Sequence, residues 1–272
     1  MMKTTVTSWS FPQLSLREIV GLAKVLDLGG VDIGYFYRSA LDRVALLSQP
    51  EAYAESLSEL DCTFPCLYHL FGEDLYDRNV ADTQSLSQNV ADITQAVKFC
   101  KAAGVGQIML LPGMVMPGKT RAESIKSSIA NFKEIVPVIT DAGLQVSFEP
   151  HVHGLAESPA TALEIVNEVP DLGLTLDYAH LVCLGFTQES IDVLVPHATH
   201  IHLRQARPGR LQEKMALGTI NFNALLGLLS ASDYEGYVAY EYVHQDYMGT
   251  LQDDVLSETI LMRDLVKTYL AA

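Results

Sequence analysis

The sequence contains few cysteines, and they do not form a metal or redox motif. Only four of its 272 residues are cysteine, and no two of them make a Cys-X-X-Cys pair or a spacing typical of a zinc module. A sulfur-based structural zinc site is therefore disfavoured, and we expect buried, reduced thiols. The four positions are Cys62, Cys66, Cys100 and Cys183.

Basic residues are also scarce. The chain has 18 lysines and arginines against 33 acidic residues, which gives a net charge of −15 at pH 7. A chain with this charge repels phosphate backbones and anionic lipid surfaces. Nucleic acids and membranes are therefore disfavoured as partners, and we expect a small-molecule partner instead.

Long apolar runs are absent. No run approaches the ~20 residues of a membrane span, and the first residues, MMKTTVTSWS, have neither the apolar core nor the cleavage site of a signal peptide. We therefore expect a soluble, cytoplasmic protein. Hydrophobic residues make up 49% of the chain, and no linker or low-complexity tract interrupts it, which predicts one domain over residues 1–272.

Eight strand patterns alternate with eight helical patterns, and this alternation favours parallel strands joined by helices. An open doubly wound sheet is the alternative, but its first turn is usually rich in glycine, and the segment from Trp9 to Gln13 has none. We therefore predict an α/β fold of the closed (β/α)8 type, a TIM barrel. The predicted strands are 4–9, 31–34, 62–70, 107–111, 144–149, 172–177, 198–203 and 237–241. The predicted helices are 15–28, 39–60 with a break near Pro50, 79–103, 121–142, one from about 158, 189–195, 221–230 and 257–270.

Four predicted strands carry an acid or a histidine at or near their C-terminal ends. Strand five, in the stretch LQVSFEPHVH, ends at Glu149, strand six at Asp177 and strand eight at Glu241, while strand seven carries His202. In a closed barrel these ends share one rim, where the chemistry of such folds gathers. Carboxylates with a single imidazole suit a divalent ion such as Mn²⁺, Mg²⁺ or Co²⁺ better than a structural zinc. The alternative is that these residues cap helices or pair with arginines.

Three further polar residues are expected near the same rim. Asp32 lies on strand two, His69 ends strand three, and His180 lies in the loop after strand six.

The motifs at these strand ends resemble those of a known family. The segments are Glu149-Pro150-His151, Asp177-Tyr178-Ala179-His180, His200-Ile201-His202-Leu203-Arg204 and Glu241. They resemble the successive strand motifs of the sugar phosphate isomerase/epimerase family, the xylose-isomerase-like TIM barrels.

The resemblance implies one divalent metal, with Zn²⁺ as a further alternative, held by Glu149, Asp177, His202 and Glu241. It also implies that His180 and Arg204 contact substrate oxygens. Pro150 stands where many members have asparagine, and Gln205 stands where many have an acid. These departures leave the substrate class open.

The predicted reaction is the isomerisation or epimerisation of a small sugar, ketose or hydroxy-keto acid. A divalent metal would stabilise the enediolate that forms when a proton leaves the carbon beside a carbonyl, and two carboxylates could remove and return that proton. We assign the proton transfer to Glu149 and Glu241. Substrate binding is assigned to His69, His180 and Arg204.

Three other functions stay open at this point. A metal-dependent dehydratase, a lyase acting on a sugar-like or dehydroshikimate-like acid, would use the same enediolate. A hydrolase like the AP endonucleases resembles the same pattern, but it needs further Asp and His ligands, and none occurs between Leu203 and Asn221. A non-enzymatic sugar-binding protein is the third. A homo-oligomer is compatible with any of them.

A basic loop follows strand seven. Its sequence, RQARPGRLQEK, places Arg204, Arg207, Arg210 and Lys214 together in an otherwise acidic protein. One interpretation is a clamp over the barrel mouth for a substrate carboxylate or phosphate. The other is a solvated surface loop.

Overall fold

The architecture is a closed barrel of parallel strands. The computed structural model describes residues 2–251 and 254–271, and within them eight strands pair in the order β1 to β8, with β8 closing against β1. This confirms the predicted TIM barrel. The strands are β1 Lys3–Thr7, β2 Val31–Gly34, β3 Cys66–Tyr68, β4 Gln107–Leu110, β5 Gln145–Phe148, β6 Leu172–Asp177, β7 Ala198–Leu203 and β8 Tyr237–Tyr240.

Helices follow the strands along the chain. In the described residues they are α1 Leu16–Val25, α2 Arg43–Ser48, α3 Pro50–Leu57, α4 Leu86–Ala103, α5 Arg121–Thr140, α6 Pro159–Glu168, α7 Tyr178–Cys183, α8 Gln188–Asp192, α9 Phe222–Ala231 and α10 Val255–Leu270. None of these described helices combines the length and the hydropathy that a membrane crossing requires.

Local sequence signals set several helix starts. Ser15 and Glu18 form the predicted capping box at the start of α1, since the Ser15 side chain accepts from the Glu18 N–H and Glu18 accepts from the Ser15 N–H. Thr120 and Glu123 form the same motif at the start of α5. Both pairs satisfy backbone N–H groups that have no partner within the helix.

The predicted helix from residue 79 begins later than expected, at Leu86. Asn79 Oδ1 accepts from the Ala81 N–H at 3.0 Å, and Asp82 Oδ1 accepts from the Gln84 N–H at 2.9 Å. Side chains that bond to backbone two residues ahead favour turns over helix. The apolar periodicity from which the helix was predicted thus begins at residue 79, in the turns that precede the helix.

The loop predicted after β6 is instead the short helix α7, and it carries His180. Asp177 caps this helix, because its Oδ1 accepts from the Ala179 N–H at 2.9 Å. A helix of six residues is too short to show a helical repeat in the sequence.

The strand register places the predicted site residues side by side. Asp177 on β6 is the direct register partner of His202 on β7. The backbone N–H of Glu149 donates to Leu110 at the end of β4, at 3.1 Å, and that of Glu241 donates to Leu203 at the end of β7, at 3.0 Å. Both glutamates are therefore anchored at the C-terminal rim by the neighbouring strands.

Candidate active site

Three of the four predicted metal ligands form one buried group. His202 Nδ1 lies 2.9 Å from Glu149 Oε1 and 3.1 Å from Glu241 Oε2, and one candidate ligand atom from each residue lies within 4.8 Å of the others. All three residues are at most 6% exposed. The barrel thus brings together groups that are 53 and 39 positions apart in the sequence.

The fourth predicted ligand, Asp177, adjoins this group but is engaged with Arg204. Arg204 Nε and Nη2 lie 2.8 Å and 2.7 Å from Asp177 Oδ2. The same Nη2 lies 3.6 Å from Glu241 Oε2 and donates to His180 Nε2 at 2.7 Å. The guanidinium therefore places a positive charge among these carboxylates, and pairing with an arginine, raised as an alternative from the sequence, holds for Asp177.

The two glutamates differ in their affinity for a proton. Burial, and after it the neighbouring Glu241 carboxylate, raises the pKa of Glu149 to about 7. Burial also acts to raise the pKa of Glu241, but the positive charges of His202 and Arg204 outweigh it and hold that pKa well below its ordinary range. At neutral pH, one carboxyl group is thus close to half-protonated while the other is ionised.

The donor set fits a divalent cation. Burial disfavours a charged His202, but Glu241 and Glu149 outweigh it and raise the His202 pKa well above its ordinary value. One Nδ1–H then lies between two carboxylates, and Glu241 Oε2 has no hydrogen-bond donor of its own among the described residues. Two carboxylates and one imidazole are donors that Mn²⁺, Co²⁺ and Zn²⁺ accept. These residues could therefore hold one of these metal ions in place of the proton.

Aromatic side chains from the first three strands face the charged group. Trp9, just after β1, donates from its indole Nε1–H to Glu241 Oε1 at 2.7 Å. Its ring also makes edge contacts with Phe36 and Tyr68, with ring centroids 5.8 Å and 5.6 Å away. We call Trp9, Phe36 and Tyr68 the aromatic wall.

A cavity of about 250 Å³ opens between the aromatic wall and the charged group. Glu149, Glu241, His180 and Arg204 contribute its polar lining, and the loop after β8 adds further residues, including Tyr247. The cavity holds both predicted proton-transfer residues and two of the three predicted substrate-binding residues. It is therefore the candidate active site.

Two neutral histidines border this cavity. Burial, followed by the neighbouring His151 and Arg204, keeps the pKa of His180 well below its ordinary value, and burial lowers the pKa of His151 to about 4. Their ring centroids lie 4.1 Å apart. A neutral imidazole can donate a hydrogen bond to a sugar hydroxyl from one ring nitrogen or accept one at the other, and it adds no charge to the cavity.

His69 lies outside this group, whereas Asp32 adjoins it on the side of His202. His69 lines a second, smaller cavity, where Tyr35 Oη contacts its Nδ1 at 3.2 Å. Asp32 contacts His200 Nε2 at 2.6 Å within the barrel, and Asp32, His200 and His202 each offer a ligand atom within 4.8 Å of one another. The structure therefore separates His69 from the carboxylates with which strand order groups it, and it keeps Asp32 next to His202.

The contacts of the basic loop fit the surface-loop alternative. Arg207 Nε and Arg210 Nε lie 3.0 Å and 3.5 Å from the same Glu213 carboxylate, and neither arginine lines the cavity. Of the four basic residues, Arg204 alone reaches the site described above.

Sequence reasoning did not find the hydrogen bond from Trp9 to Glu241 or the contribution of the loop after β8. Trp9 is the single tryptophan of the chain and ends the first predicted strand, which marks it as a rim residue. No residue type or spacing indicates that its N–H reaches a carboxylate 232 positions away.

Comparisons with known proteins agree with this architecture. A family model described as the xylose isomerase-like TIM barrel matches residues 21–263. A human protein named "Putative hydroxypyruvate isomerase" is 29% identical over 163 residues, and the match covers 55% of this chain and 58% of the human protein. The aligned part thus spans little more than half of that relative.

Solved structures share the fold over nearly the whole chain. A D-tagatose 3-epimerase-like protein superposes with a TM-score of 0.74 at 18% identity, covering 99% of this chain and 97% of that one. The IOLI protein, solved with a binding zinc atom, gives a TM-score of 0.75 at 19% identity, with 98% and 99% covered. These likenesses show a common fold. Together with the family match over residues 21–263, they establish that the chain belongs to the xylose isomerase-like TIM barrel family, as its strand-end motifs indicated.

Proposed function

We propose that the protein is a divalent-metal-dependent isomerase or epimerase of a small sugar, ketose or hydroxy-keto acid. The observation that carries this proposal is the buried pair Glu149 and Glu241 on either side of His202 Nδ1. Two carboxyl groups whose surroundings drive their pKa values apart are suited to act as acid and base on one substrate. The names of the human relative and of the D-tagatose 3-epimerase-like structure are consistent with such a reaction.

Glu149, His202 and Glu241 are the residues that would hold the metal, and Asp177 is the fourth ligand that the family resemblance suggests. A bound divalent ion would supply positive charge beside the substrate oxygens on which negative charge develops. Metal ligands must be deprotonated. The loading of this site therefore requires the loss of the His202 proton and of any proton on Glu149.

Glu241 is the proposed base and Glu149 the proposed acid of the proton transfer. Glu241, ionised at neutral pH, removes the proton from the carbon beside the substrate carbonyl. Because Glu149 gives up its own proton when the metal binds, it would first have to take up a proton, either the one removed from the substrate or one from solvent, and it then returns that proton to the substrate. Positioned carboxyl groups commonly act as acid and base in such a step.

His180 and Arg204 are proposed to orient the substrate oxygens. His180 is neutral and lines the cavity, so it would contact a substrate hydroxyl without adding charge. Arg204 offers guanidinium donors to the same cavity while it pairs with Asp177. The aromatic wall closes the opposite side and excludes water from the reacting carbon.

Solvent deuterium incorporation tests the proposed function. The full-length protein, supplied with Mn²⁺ in D₂O, is incubated separately with hydroxypyruvate and with ketoses of four to six carbons. We expect at least one compound to acquire deuterium at the carbon beside its carbonyl, and we expect EDTA to stop the exchange. No exchange with any of these compounds would contradict the proposal.

A further inference from the structure

The observation that leads furthest is an unsatisfied nitrogen on His69. This residue follows β3 and is 1% exposed, and its Nδ1 contacts Tyr35 Oη at 3.2 Å. Its Nε2 has no hydrogen-bond partner among the described residues. Burial, with Arg43 and Arg78, lowers the pKa of His69 to about 3, so the ring is neutral. A buried nitrogen without a partner costs stability, and such an atom calls for a ligand or a water.

His69 borders a cavity of about 20 Å³, separate from the active-site cavity. A space of this size holds about one water-sized group. Among the described residues, Leu75 alone lines both cavities, and it is half-buried. Its side chain is therefore the candidate partition between the active-site cavity and the small cavity beside His69.

The turn that carries Leu75 is tightly bonded. Asp74 Oδ1 accepts from the backbone N–H groups of Tyr76 and Asp77, at 2.7 Å and 2.9 Å. Asp77 Oδ2 accepts from the Glu73 N–H at 2.9 Å. Gly72 precedes the turn at φ +67°, and a Cβ at this position would collide with Asp77. These bonds hold Leu75 in place, so the separation is built into the fold.

We propose that Leu75 is a specificity-determining residue that limits the length of the substrate carbon chain, and that His69 is a polar contact for one additional hydroxymethyl group. This inference rests on the proposed function, because it concerns the substrate of the same cavity. With leucine in place, the substrate ends at the partition. With a smaller side chain, the two cavities join and the terminal hydroxyl of a longer ketose reaches His69 Nε2.

A substrate-length series tests the proposal. Initial rates of deuterium incorporation into erythrulose, ribulose and fructose are measured for the wild type, Leu75→Ala and Leu75→Ile with Mn²⁺. We expect Leu75→Ala to raise the ratio of kcat/KM for fructose to that for ribulose, which is one carbon shorter, by about tenfold, the size of effect that one carbon has in a shaped pocket. Leu75→Ile keeps the side-chain volume and should keep the ratio. An unchanged ratio in Leu75→Ala would overturn the proposal.

The role of His69 is tested in the double variant Leu75→Ala with His69→Phe. Phenylalanine keeps a ring of similar size but offers no hydrogen bond, so we expect the gain for fructose to disappear. If the double variant keeps the gain, His69 is not the contact.

A chemical labelling experiment tests whether Leu75 separates the two cavities, and it does not depend on catalytic turnover. Diethyl pyrocarbonate acylates accessible neutral imidazoles, and peptide mass spectrometry locates the modified histidine. We expect His69 to react about tenfold faster in Leu75→Ala than in the wild type or Leu75→Ile, since the opened cavity exposes its Nε2. Equal labelling in all three proteins would refute the partition, whereas a wild type that exchanges neither hydroxypyruvate nor any of the ketoses refutes the proposed function.

Discussion

The two halves of the barrel rim are built from different kinds of residue. The half formed by β5 to β8 carries Glu149, Asp177, His202, Arg204 and Glu241, which are charged and buried. The half formed by β1 to β3 carries the aromatic wall, where the rings contact one another and Cys66 and Met109 pack around them. The same rim thus offers charge on one side and apolar surface on the other.

The two halves can therefore serve different steps, the charged half the reaction and the aromatic half the binding of the substrate. Proton transfer and metal binding need charged groups in a low-dielectric site, where electrostatic interactions are strong. An apolar face opposite them excludes water and bounds the substrate. A hydrogen bond joins the aromatic wall to the charged half, because the Trp9 N–H donates to Glu241. We therefore expect substitutions in the charged half to affect kcat and substitutions in the aromatic wall to affect KM, with Trp9 as the exception.

The largest effect is expected for Glu241→Gln. Glutamine keeps the size and can still accept from Trp9, but it cannot remove a proton. We expect kcat for deuterium incorporation to fall by about 10³-fold, within the range of general acid–base catalysis. Measurement of metal content in the same variant separates lost chemistry from lost metal. Full turnover by Glu241→Gln would show that its charge has no part in the reaction.

The second effect is a pH dependence of stability carried by Glu149. Its pKa is raised from 4.5 to about 7 in the folded, metal-free protein, so its protonation favours the folded state below pH 4.5, and that contribution is lost as the pH rises to about 7. At 1.36 kcal/mol per pH unit, the total is about 3 kcal/mol. The free energy of unfolding of the wild type, relative to Glu149→Gln, should therefore fall by about this amount between pH 4.5 and 7.

Urea denaturation in EDTA across this pH range measures that difference. Glu164→Gln, at an exposed position on α6, is the matched control and should run parallel to the wild type. If Glu149→Gln also runs parallel to the wild type, the carboxyl group does not bind its proton more tightly in the folded protein.

The smallest effect is expected for Trp9→Phe, which keeps an aromatic ring but removes the N–H that bonds to Glu241. A hydrogen bond to a buried charged group contributes about 1.5–3 kcal/mol, so we expect kcat to fall by about tenfold or more with little change in KM. Phe36→Leu is the comparison, because it removes a ring of the aromatic wall that has no bond to the charged half. Phe36→Leu should change KM rather than kcat. An equal loss of kcat in both variants would contradict the assignment of different roles to the charged half and the aromatic wall.

Much of this site could be predicted from the sequence because strand ends in a closed barrel meet at one rim. That rule brings Glu149, His202 and Glu241 together from their positions alone. The pairing of Asp177 with Arg204 could not be predicted in the same way. Arg204 lies near several carboxylates, and the packing of the buried site decides which of them it pairs with. The turn that holds Leu75 could not be predicted from the sequence either, because it depends on hydrogen bonds from backbone N–H groups to the side chains of Asp74 and Asp77. Sequence patterns thus predict where a strand ends more reliably than where a side chain points.

The most direct test of the central claim is calorimetric titration of the metal-free protein with Mn²⁺, in buffers of different ionisation enthalpy. The account predicts one ion per chain, proton release on binding because His202 and Glu149 must lose their protons, and loss of this binding in His202→Ala. Mn²⁺ binding that persists unchanged in His202→Ala, or that releases no protons near pH 7, would contradict a metal centre at Glu149, His202 and Glu241.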